Sequence, residues 1–473
     1  MSIIKANKFT CPGGASRAAW VLPALVAGLG LVLAGPAAAQ TFTTLHSFAV
    51  GSADGFNPWG GLILSGNTLY GTTSYGGSAG YGTVFALNTD GTSYQTLYSF
   101  TGGSGGNNPL AGLILSGNTL YGTASGGSSG RGMVFAVNTD GTGFTNLYSS
   151  TGDSDGVSSY GLLLSGNTLY GTTSYSGSSG HGTVFAVNTD GTGFTNLYSF
   201  TGGNDGATPE AGVLLSGNTL YGTAHTGGSS GRGTVFAVNT DGTGFTTLYS
   251  FTGGGDGSAP QAELVLSGNT LYGTAYGGGS GGEGTVFAVN TNGTGFTVLY
   301  SFTEASNPNP VNSDGAKPSA GLVVSGNTLY GTAIVGGNSG DGTVFAVNTD
   351  GSGFTTLHSF TDGDDGGSLR AGLILSGNTL YGEANVGGSS YGGTVFSLSL
   401  PPVSAPQLGI TPSGANVILT WPAAATGFTL QSTTKLGSLA FWTTNSPAPV
   451  VVNGQNVVTN PISGAHQFFR LSQ

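Results

Sequence analysis

The stretch SGNTLYG, residues 65–71, decides the fold, because it returns letter for letter six more times along the chain. The tyrosines of the seven copies are Tyr70, Tyr121, Tyr170, Tyr221, Tyr272, Tyr330 and Tyr381. Successive tyrosines are 51, 49, 51, 51, 58 and 51 residues apart. A period near fifty residues indicates a stacked or radial repeat architecture.

Each copy predicts four β-strands. The copy at residues 61–100 alternates four apolar segments with four turn segments, and the apolar segments are rich in Val, Leu, Tyr, Phe and Thr. These segments are too short for helices and have the composition of strands. The dipeptides Gly66-Asn67 and Asp90-Gly91 suit tight hairpin turns, because both residue types adopt positive φ at low cost. We therefore expect one four-stranded antiparallel sheet per repeat.

The two ends of the repeat region indicate how the sheets are arranged. The seventh copy stops after its third strand, GGTVFSLSL at residues 392–400. The missing fourth strand appears as TTLHSF at residues 43–48, which nearly matches TTLYSF at 246–251. Radial packing covers both apolar faces of each sheet. The prediction is an all-β fold, with a seven-bladed β-propeller over residues 41–400 closed by an N-terminal strand that completes the last blade. A half-open solenoid is the alternative.

The first 39 residues predict a signal peptide. The start of the segment contains three basic residues, Lys5, Lys8 and Arg17. An apolar run follows at 18–35, and Ala37-Ala38-Ala39 offers a small-residue cleavage site. A transmembrane anchor is the alternative, but the run is short and is interrupted by Pro23 and several glycines. We expect an exported bacterial protein that is extracellular, at the cell surface or periplasmic.

The composition of the mature chain excludes several classes of partner and site. The single cysteine, Cys11, lies within the predicted signal, so no disulfide or thiol nucleophile is expected. The remaining chain has six basic and twenty acidic residues, a net charge of −14. This charge argues against nucleic acid and anionic membranes as partners. No segment after the signal could span a bilayer.

A second domain is predicted after the repeats. Residues 401–407, PPVSAPQ, are expected to form a stiff Pro-rich linker. Residues 408–473 contain short β-type segments and predict a small β-sandwich of immunoglobulin or fibronectin III-like character. Trp421 and Trp442 are expected to be core residues rather than ligand contacts.

The repeat resembles a known family. The pattern combines G-L-x-x-x-G-x-x-LYGT, GG-x-x-x-x-GTVF, N-x-DG and LYSF, and it covers residues 41–400. It resembles the GloVer tandem-repeat family of bacterial surface proteins, and in general form it is similar to kelch propellers. The resemblance implies a repeat protein of the cell exterior and carries no established enzymatic activity.

The chain lacks the sequence signatures of catalysis. There is no H-E-x-x-H and no cysteine-based metal site. We expect no catalytic residue, cofactor or metal. The aspartates of the NTDG segments are interpreted as turn residues, because Asn292 fills the same position in the fifth copy. The Asp-rich loops between blades are interpreted as solvated turns, with weak calcium binding as the alternative.

Candidate ligand residues lie where the seven copies differ. One variable position lies immediately before GTVF, and the other lies two residues before the GL(I/V)L segment. Both positions are expected in loops on one face of the propeller, around its central opening. The predicted ligand-binding residues are Trp59, Tyr81, Arg131, His181, Arg232, Glu283, Asp341 and Arg370.

The function predicted from these positions is non-enzymatic binding of a polysaccharide or a surface protein. A carbohydrate-active hydrolase or lyase that uses acidic residues on the same face is one alternative. Glu383, which replaces the threonine after LYG, is a further acidic candidate there. A purely structural envelope protein is the other alternative, and neutral drift would equally produce variable exposed positions.

Overall fold

The computed structural model describes residues 4–7, 40–152, 154–155, 157–306, 309–401, 407–422, 428–435, 442–444, 448–452, 455–461 and 466–472. The chain divides into two compact units, which are described separately below. One comprises Gln40–Leu400, and the other combines Met1–Ala39 with Pro401–Gln473.

The larger unit consists of repeated four-stranded antiparallel sheets, as the sequence predicts. The first strands are Ile63–Ser65 (preceded by Phe56–Pro58 on the same partner), Ile114–Ser116, Val157–Ser165, Leu214–Ser216, Val265–Ser267, Val323–Ser325 and Ile374–Ser376. The second strands are Thr68–Tyr75, Thr119–Ala124, Thr168–Tyr175, Thr219–Ala224, Thr270–Ala275, Thr328–Ala333 and Thr379–Ala384. The third strands are Thr83–Asn88, Met133–Asn138, Thr183–Asn188, Thr234–Asn239, Thr285–Asn290, Thr343–Asn348 and Tyr391–Ser399. The fourth strands are Gln95–Ser99, Thr145–Ser149, Thr195–Ser199, Thr246–Ser250, Thr297–Ser301, Thr355–Ser359 and, from the N-terminal side, Thr41–Ala49. A short 3₁₀ turn, Gly103–Gly105, is the helical element in the described part of this unit.

The glycine of SGNTLYG is required by packing inside each sheet. Gly71 lies opposite Phe85 on the neighbouring strand, and a Cβ at Gly71 would lie 2.6 Å from Cζ of that ring. The same relation holds in all seven copies, with distances of 2.6–2.7 Å. The first glycine of the motif has a separate role in the hairpin turn, where Gly66 has φ +58°. The motif therefore provides both a hairpin turn and the space that the phenylalanine ring of the neighbouring strand occupies.

The N-terminal strand belongs to the sheet of the seventh repeat. Thr41–Ala49 pairs antiparallel with Tyr391–Ser399, with Thr41 opposite Ser399 and His46 opposite Val395. The backbone N–H of Thr41 also donates to Oγ of Ser399 at 3.0 Å. This pairing supplies the fourth strand that the seventh repeat lacks.

Stacked rings join each repeat to the next. Tyr98 of the first repeat stacks on Phe144 of the second with ring centroids 3.6 Å apart. The equivalent pairs along the chain are Tyr148–Phe194, Tyr198–Phe245, Tyr249–Phe296, Tyr300–Phe354 and His358–Phe42. At the junction of the seventh repeat with the first, His46 stacks on Tyr94 at 4.1 Å. The two histidines thus occur where the closing strand takes part.

The core is distributed over the junctions between repeats. Seven apolar clusters each combine buried side chains of two consecutive repeats, and one of them joins Phe48 and Val395 of the seventh sheet to Leu62, Leu69 and Phe85 of the first. Burial of each large apolar side chain contributes about 1.5–3 kcal/mol. Adjacent sheets therefore stabilise one another along the whole series.

The smaller unit contains two four-stranded sheets in its described residues. One combines Gly409–Ser413, Asn416–Pro422, Gln455–Pro461 and Val450–Val452; the other combines Ile4–Asn7, His466–Ser472, Thr429–Thr433 and Thr443–Thr444. Both sheets contribute to one apolar cluster, in which Trp421 is buried beside Leu430 and Phe469. Trp442 is half-buried beneath the guanidinium of Arg470.

Parts of the N-terminal and linker predictions lie outside the described residues. These are positions 1–3 and 8–39 of the predicted signal peptide and 402–406 of the predicted linker. Among the described residues, no helix is long and apolar enough to cross a membrane.

Candidate functional site

One cavity is lined by the same segment of all seven repeats. It has a volume of about 590 Å³ and is bordered by residues 59–63, 110–113, 161–162, 210–212, 214, 261–265, 319–322 and 370–373. These segments lead into the first strand of each sheet or form part of it. Their small residues allow close backbone contact between neighbours, since a Cβ at Gly112 would lie 2.6 Å from the carbonyl oxygen of Gly60. A cavity of this size falls within the range of ligand pockets in proteins.

The second variable position contributes residues from six repeats to the cavity lining. Its members there are Trp59, Leu110, Glu210, Gln261, Ser319 and Arg370. In the third repeat, Gly161 and Leu162 line the wall. Two of the eight predicted ligand residues, Trp59 and Arg370, are therefore brought together at this cavity.

Trp59 and Arg370 form a cation–π pair across the junction of the first and seventh repeats. The guanidinium carbon of Arg370 lies 4.4 Å from the centroid of the Trp59 ring, and both side chains are half-buried. On another part of the wall, Oε2 of Glu210 lies 3.3 Å from Nδ1 of His225. The cavity thus offers an aromatic ring together with both acidic and basic groups.

Glu263 is a cavity residue that comparison of sequence positions did not single out. It stands where the other repeats have Gly61, Gly112, Gly161, Gly212, Gly321 and Gly372. By surface area the side chain is exposed to the cavity, although the protein atoms of the cavity wall partly desolvate it. This desolvation raises the pKa of Glu263 to about 7. The sequence signal that could have identified it is a glutamate at a position where the six other repeats have glycine.

The first variable position lies elsewhere. Four of its side chains each lie beside a glycine of the loop that follows the fourth strand. The pairs are Tyr81 with Gly102, Arg131 with Gly152, His181 with Gly202 and Arg232 with Gly253. A Cβ on these glycines would approach the nearest side-chain atom within 1.9–2.9 Å. These four side chains were expected to surround the central opening, but they are not among the residues that line the cavity. Their contacts are with loops between repeats.

Glu283 and Asp341, the two acidic candidates of the first variable position, are also absent from the cavity lining. Oε2 of Glu283 forms an ion pair with Nζ of Lys317 at 2.9 Å. Burial raises the pKa of Asp341, and the nearby carboxylates of Asp362 and Asp365 add to this effect. The structure therefore places these two residues in separate loop environments.

Glu383 is buried behind the cavity wall. Its Oε2 accepts a hydrogen bond from the backbone N–H of Gly61 at 3.2 Å, while Oε1 has no hydrogen-bond partner among the described residues. Burial raises the pKa of Glu383 to about 8, opposed by that hydrogen bond. In other repeats a threonine takes this position and donates to the next repeat, as Thr172 does to the carbonyl of Ala211 at 2.7 Å.

The remaining aspartates hold turns and loops. In the NTDG turns, Oδ1 of Asp190 accepts hydrogen bonds from N and Oγ1 of Thr192, and Asn292 makes the same two bonds to Thr294. Between repeats, Asp155 accepts bonds from the Tyr148 hydroxyl and from backbone amides. Burial opposes ionisation there, but these bonds lower the pKa of Asp155 to about 2. Within the described ranges, no group of three or more potential metal ligands comes together.

Comparison with known proteins identifies the repeat and the general fold. The sequence model of a family described as the Gloeobacter/Verrucomicrobia repeat matches residues 25–202, 162–313 and 307–405, in agreement with the resemblance to GloVer repeats. No curated protein matches the chain significantly.

Two solved structures are similar in their propeller-like fold. A puromycin-hydrolysing peptidase of Mycobacterium tuberculosis has a TM-score of 0.50 at 14% identity, over 81% of this chain and 61% of that protein. An oligogalacturonate lyase in complex with manganese has a TM-score of 0.50 at 11% identity, over 76% and 93% of the two chains. At these identities the likeness concerns the fold alone.

Proposed function

This chain belongs to the Gloeobacter/Verrucomicrobia repeat family, and we propose that it is an exported binding protein whose repeats form a closed seven-bladed β-propeller. Closure is supported by the N-terminal strand in the seventh sheet and by the His46–Tyr94 stack. The lining of one cavity by all seven repeats supports the same arrangement. Residues 408–473 form a small β-sandwich in this proposal, supported by the apolar cluster that its two sheets share.

Export is proposed from the sequence of the first 39 residues, which has a basic start, an apolar run and three consecutive alanines. An exported protein without cysteines in its mature part needs no disulfides to fold. The apolar clusters at the repeat junctions supply its stability instead.

The ligand proposed for the cavity is a saccharide of an extracellular polysaccharide. The observation that carries this proposal is the position of Trp59, held by Arg370 at the wall of a cavity that all seven repeats share. An indole ring offers a flat apolar surface of the kind that covers the C–H face of a sugar ring. Glu210, Gln261 and Ser319 supply hydrogen-bonding groups for hydroxyls around it. Another surface protein is the second ligand class in this proposal.

A binding screen of the mature protein against a glycan array and soluble polysaccharides tests the proposal. For a saccharide that binds, Trp59→Ala is expected to lower the affinity about tenfold, since burial of a large apolar side chain contributes about 1.5–3 kcal/mol. Tyr81→Ala is the matched control, because Tyr81 is an exposed aromatic residue that does not line the cavity. Wild-type affinity in the Trp59→Ala variant would contradict the assignment of the cavity.

A second candidate function is saccharide cleavage, and Glu263 is the observation that favours it. A carboxyl group with a pKa of about 7 at a cavity is suited to general acid catalysis near neutral pH. Release of reducing ends, recorded during the same screen and abolished by Glu263→Gln, would favour this function over binding alone. Bound saccharide that stays intact would favour the binding protein.

A further inference from the structure

Glu263 is not needed to build the cavity wall. Six repeats form the same part of the wall with glycine, and the backbone of the fifth repeat runs through the equivalent position. Oε2 of Glu263 lies 3.4 Å from the place that a Cβ of Gly212 would occupy, so the side chain extends along the wall of the fourth repeat. Among these seven equivalent positions, only the fifth repeat presents a charged side chain to the cavity.

The carboxylate of Glu263 has no partner of its own. It makes no hydrogen bond or ion pair in the described part of the chain. The basic groups nearby are engaged elsewhere: Arg370 lies over Trp59, and His225 faces Glu210. A carboxylate that the cavity wall partly desolvates, and that has no counter-charge, is less stable in its ionised form, which agrees with the raised pKa of this group. A ligand that brings positive charge would remove this cost.

The charged groups of the cavity are divided between two sides. Glu210 and Glu263 come from the fourth and fifth repeats, whereas Trp59 and Arg370 come from the first and seventh. The acidic side carries two carboxylates, of which Glu210 faces His225, and the opposite side carries the Trp59 ring with Arg370 over it. A neutral hydroxyl could donate a hydrogen bond to Glu263 but would leave its charge uncompensated. A protonated amine makes the stronger, charge-assisted hydrogen bond.

We propose that the cavity binds a saccharide with a protonated amino group, in which Glu263 holds the ammonium and Trp59 contacts a sugar ring. This inference rests on the proposed function, because it assigns the class of saccharide to the same cavity. It also makes Glu263 the residue that determines specificity. N-acetylation of the amine removes its charge and therefore the interaction.

Calorimetric titration of the full-length mature protein at pH 7 tests this assignment with three tetrasaccharides. The probes are a glucosamine tetramer, an N-acetylglucosamine tetramer and a glucose tetramer with the same linkage. We expect the glucosamine tetramer to bind at least about tenfold more tightly than the other two, because only it offers an ammonium group to Glu263.

Glu263→Gly is the decisive variant, because it gives the fifth repeat the residue of the other six and so preserves the wall. It is expected to abolish the preference for the glucosamine tetramer and to leave the affinity for the N-acetylated tetramer unchanged. Asp350→Asn is the matched control, since it removes one negative charge from an NTDG turn in which the chain itself uses Asn292 in the fifth repeat. This control is expected to bind like the wild type.

Three results would overturn the inference, and they are distinguishable. Binding of all three tetramers with equal affinity would reject the amine but retain the saccharide site. An equal loss of glucosamine binding in Glu263→Gly and Asp350→Asn would indicate general attraction to an acidic protein. If none of the three tetramers and no polysaccharide of the wider screen bound to the wild type, the proposed function would fail together with this inference.

Discussion

The backbone N–H of Gly61 donates a hydrogen bond to Oε2 of Glu383 at 3.2 Å, and this bond joins the first repeat to the seventh. At this junction, the carboxyl group occupies the place of a threonine hydroxyl in the other repeats. The junction is therefore held by an ionisable group that the remaining junctions lack at this position.

Glu383→Gln is expected to change how stability depends on pH. The pKa of Glu383 is about 8 in the folded protein and near 4.5 when unfolded, so the unfolded chain loses its proton first as pH rises. The stability of the wild type should fall between pH 5 and pH 8, and the variant should become more stable relative to it by about 2–4 kcal/mol. Tyr94 is the other titratable group that interacts with this carboxyl.

Urea unfolding at both pH values measures the effect of Glu383→Gln. Glu304→Gln, at an exposed position, serves as the control. A stability difference between wild type and Glu383→Gln that is the same at pH 5 and pH 8 would contradict the shifted pKa.

His46→Tyr is expected to stabilise the protein in acid. Burial lowers the pKa of His46 despite the hydrogen bond and charge of Asp54, so acidification through this range favours the unfolded chain, which binds the proton more readily. Tyrosine occupies this position in five other repeats and does not titrate there. The thermal midpoint of the variant should exceed that of the wild type at pH 5 and approach it at pH 8.

His181→Tyr provides the comparison for His46→Tyr, because the first repeat carries Tyr81 at the same exposed position. The thermal midpoint of His181→Tyr should equal that of the wild type at pH 5 and at pH 8. An advantage of His46→Tyr that persists undiminished at pH 8 would show that packing, not protonation, is its cause.

Asp256→Ala should destabilise the fold by about 1–3 kcal/mol, because it leaves donors in the loop without their acceptor. Oδ2 of Asp256 accepts from the Tyr249 hydroxyl at 2.9 Å and from the Thr252 backbone N–H at 2.7 Å. Burial opposes ionisation, but these bonds lower the pKa of Asp256, so its contribution should be present at neutral pH and be lost in acid.

The control for Asp256→Ala is Asp241→Asn, in an exposed NTDG turn. Asparagine is compatible with the hydrogen bonds of this turn, because Asn292 accepts the equivalent bond in the fifth repeat. Denaturant unfolding at neutral pH should find this control within about 0.5 kcal/mol of the wild type. A loss in Asp256→Ala no larger than that of the control would refute the structural role of the loop aspartate.

Gly222→Ala should destabilise the fourth repeat by about 1–3 kcal/mol through overpacking. A Cβ there would lie 2.6 Å from Cζ of the buried Phe236 ring. Gly217→Ala alters the turn of the same motif, where no heavy atom lies within 4 Å and only the φ of +60° opposes a side chain. The turn variant should lose about 1 kcal/mol, and calorimetric unfolding that ranked the two variants in the reverse order would contradict this account.

The repeated sheets were predictable because their determinants are local. Strand and turn chemistry lie within a single fifty-residue copy, and the turn role of Asp190 is visible from its replacement by Asn292 in another copy. The N-terminal strand was also recognisable, since its sequence matches a fourth strand. Each of these inferences needed only the comparison of copies with one another.

The site was less predictable because it depends on contacts between copies. Nothing in the sequence indicates that Arg131 lies across Gly152 while Arg370 reaches Trp59 in another repeat. Glu263 was not predicted, because its position is glycine in the six other repeats and therefore does not vary in the way that the candidate positions do. The substitution at Glu383 was visible, but its burial behind Gly61 was not, because burial is a property of the assembled sheets.

The pairing of Thr41–Ala49 with Tyr391–Ser399 also bears on proteolysis. Thr41 and Ser399 are 358 positions apart, so the strand synthesised early must remain unpaired until the last repeat exists. Once it is paired, a single cut in any exposed loop between repeats leaves both fragments tied together through the seventh sheet. The repeats on both sides of a nick are therefore expected to stay in one folded unit.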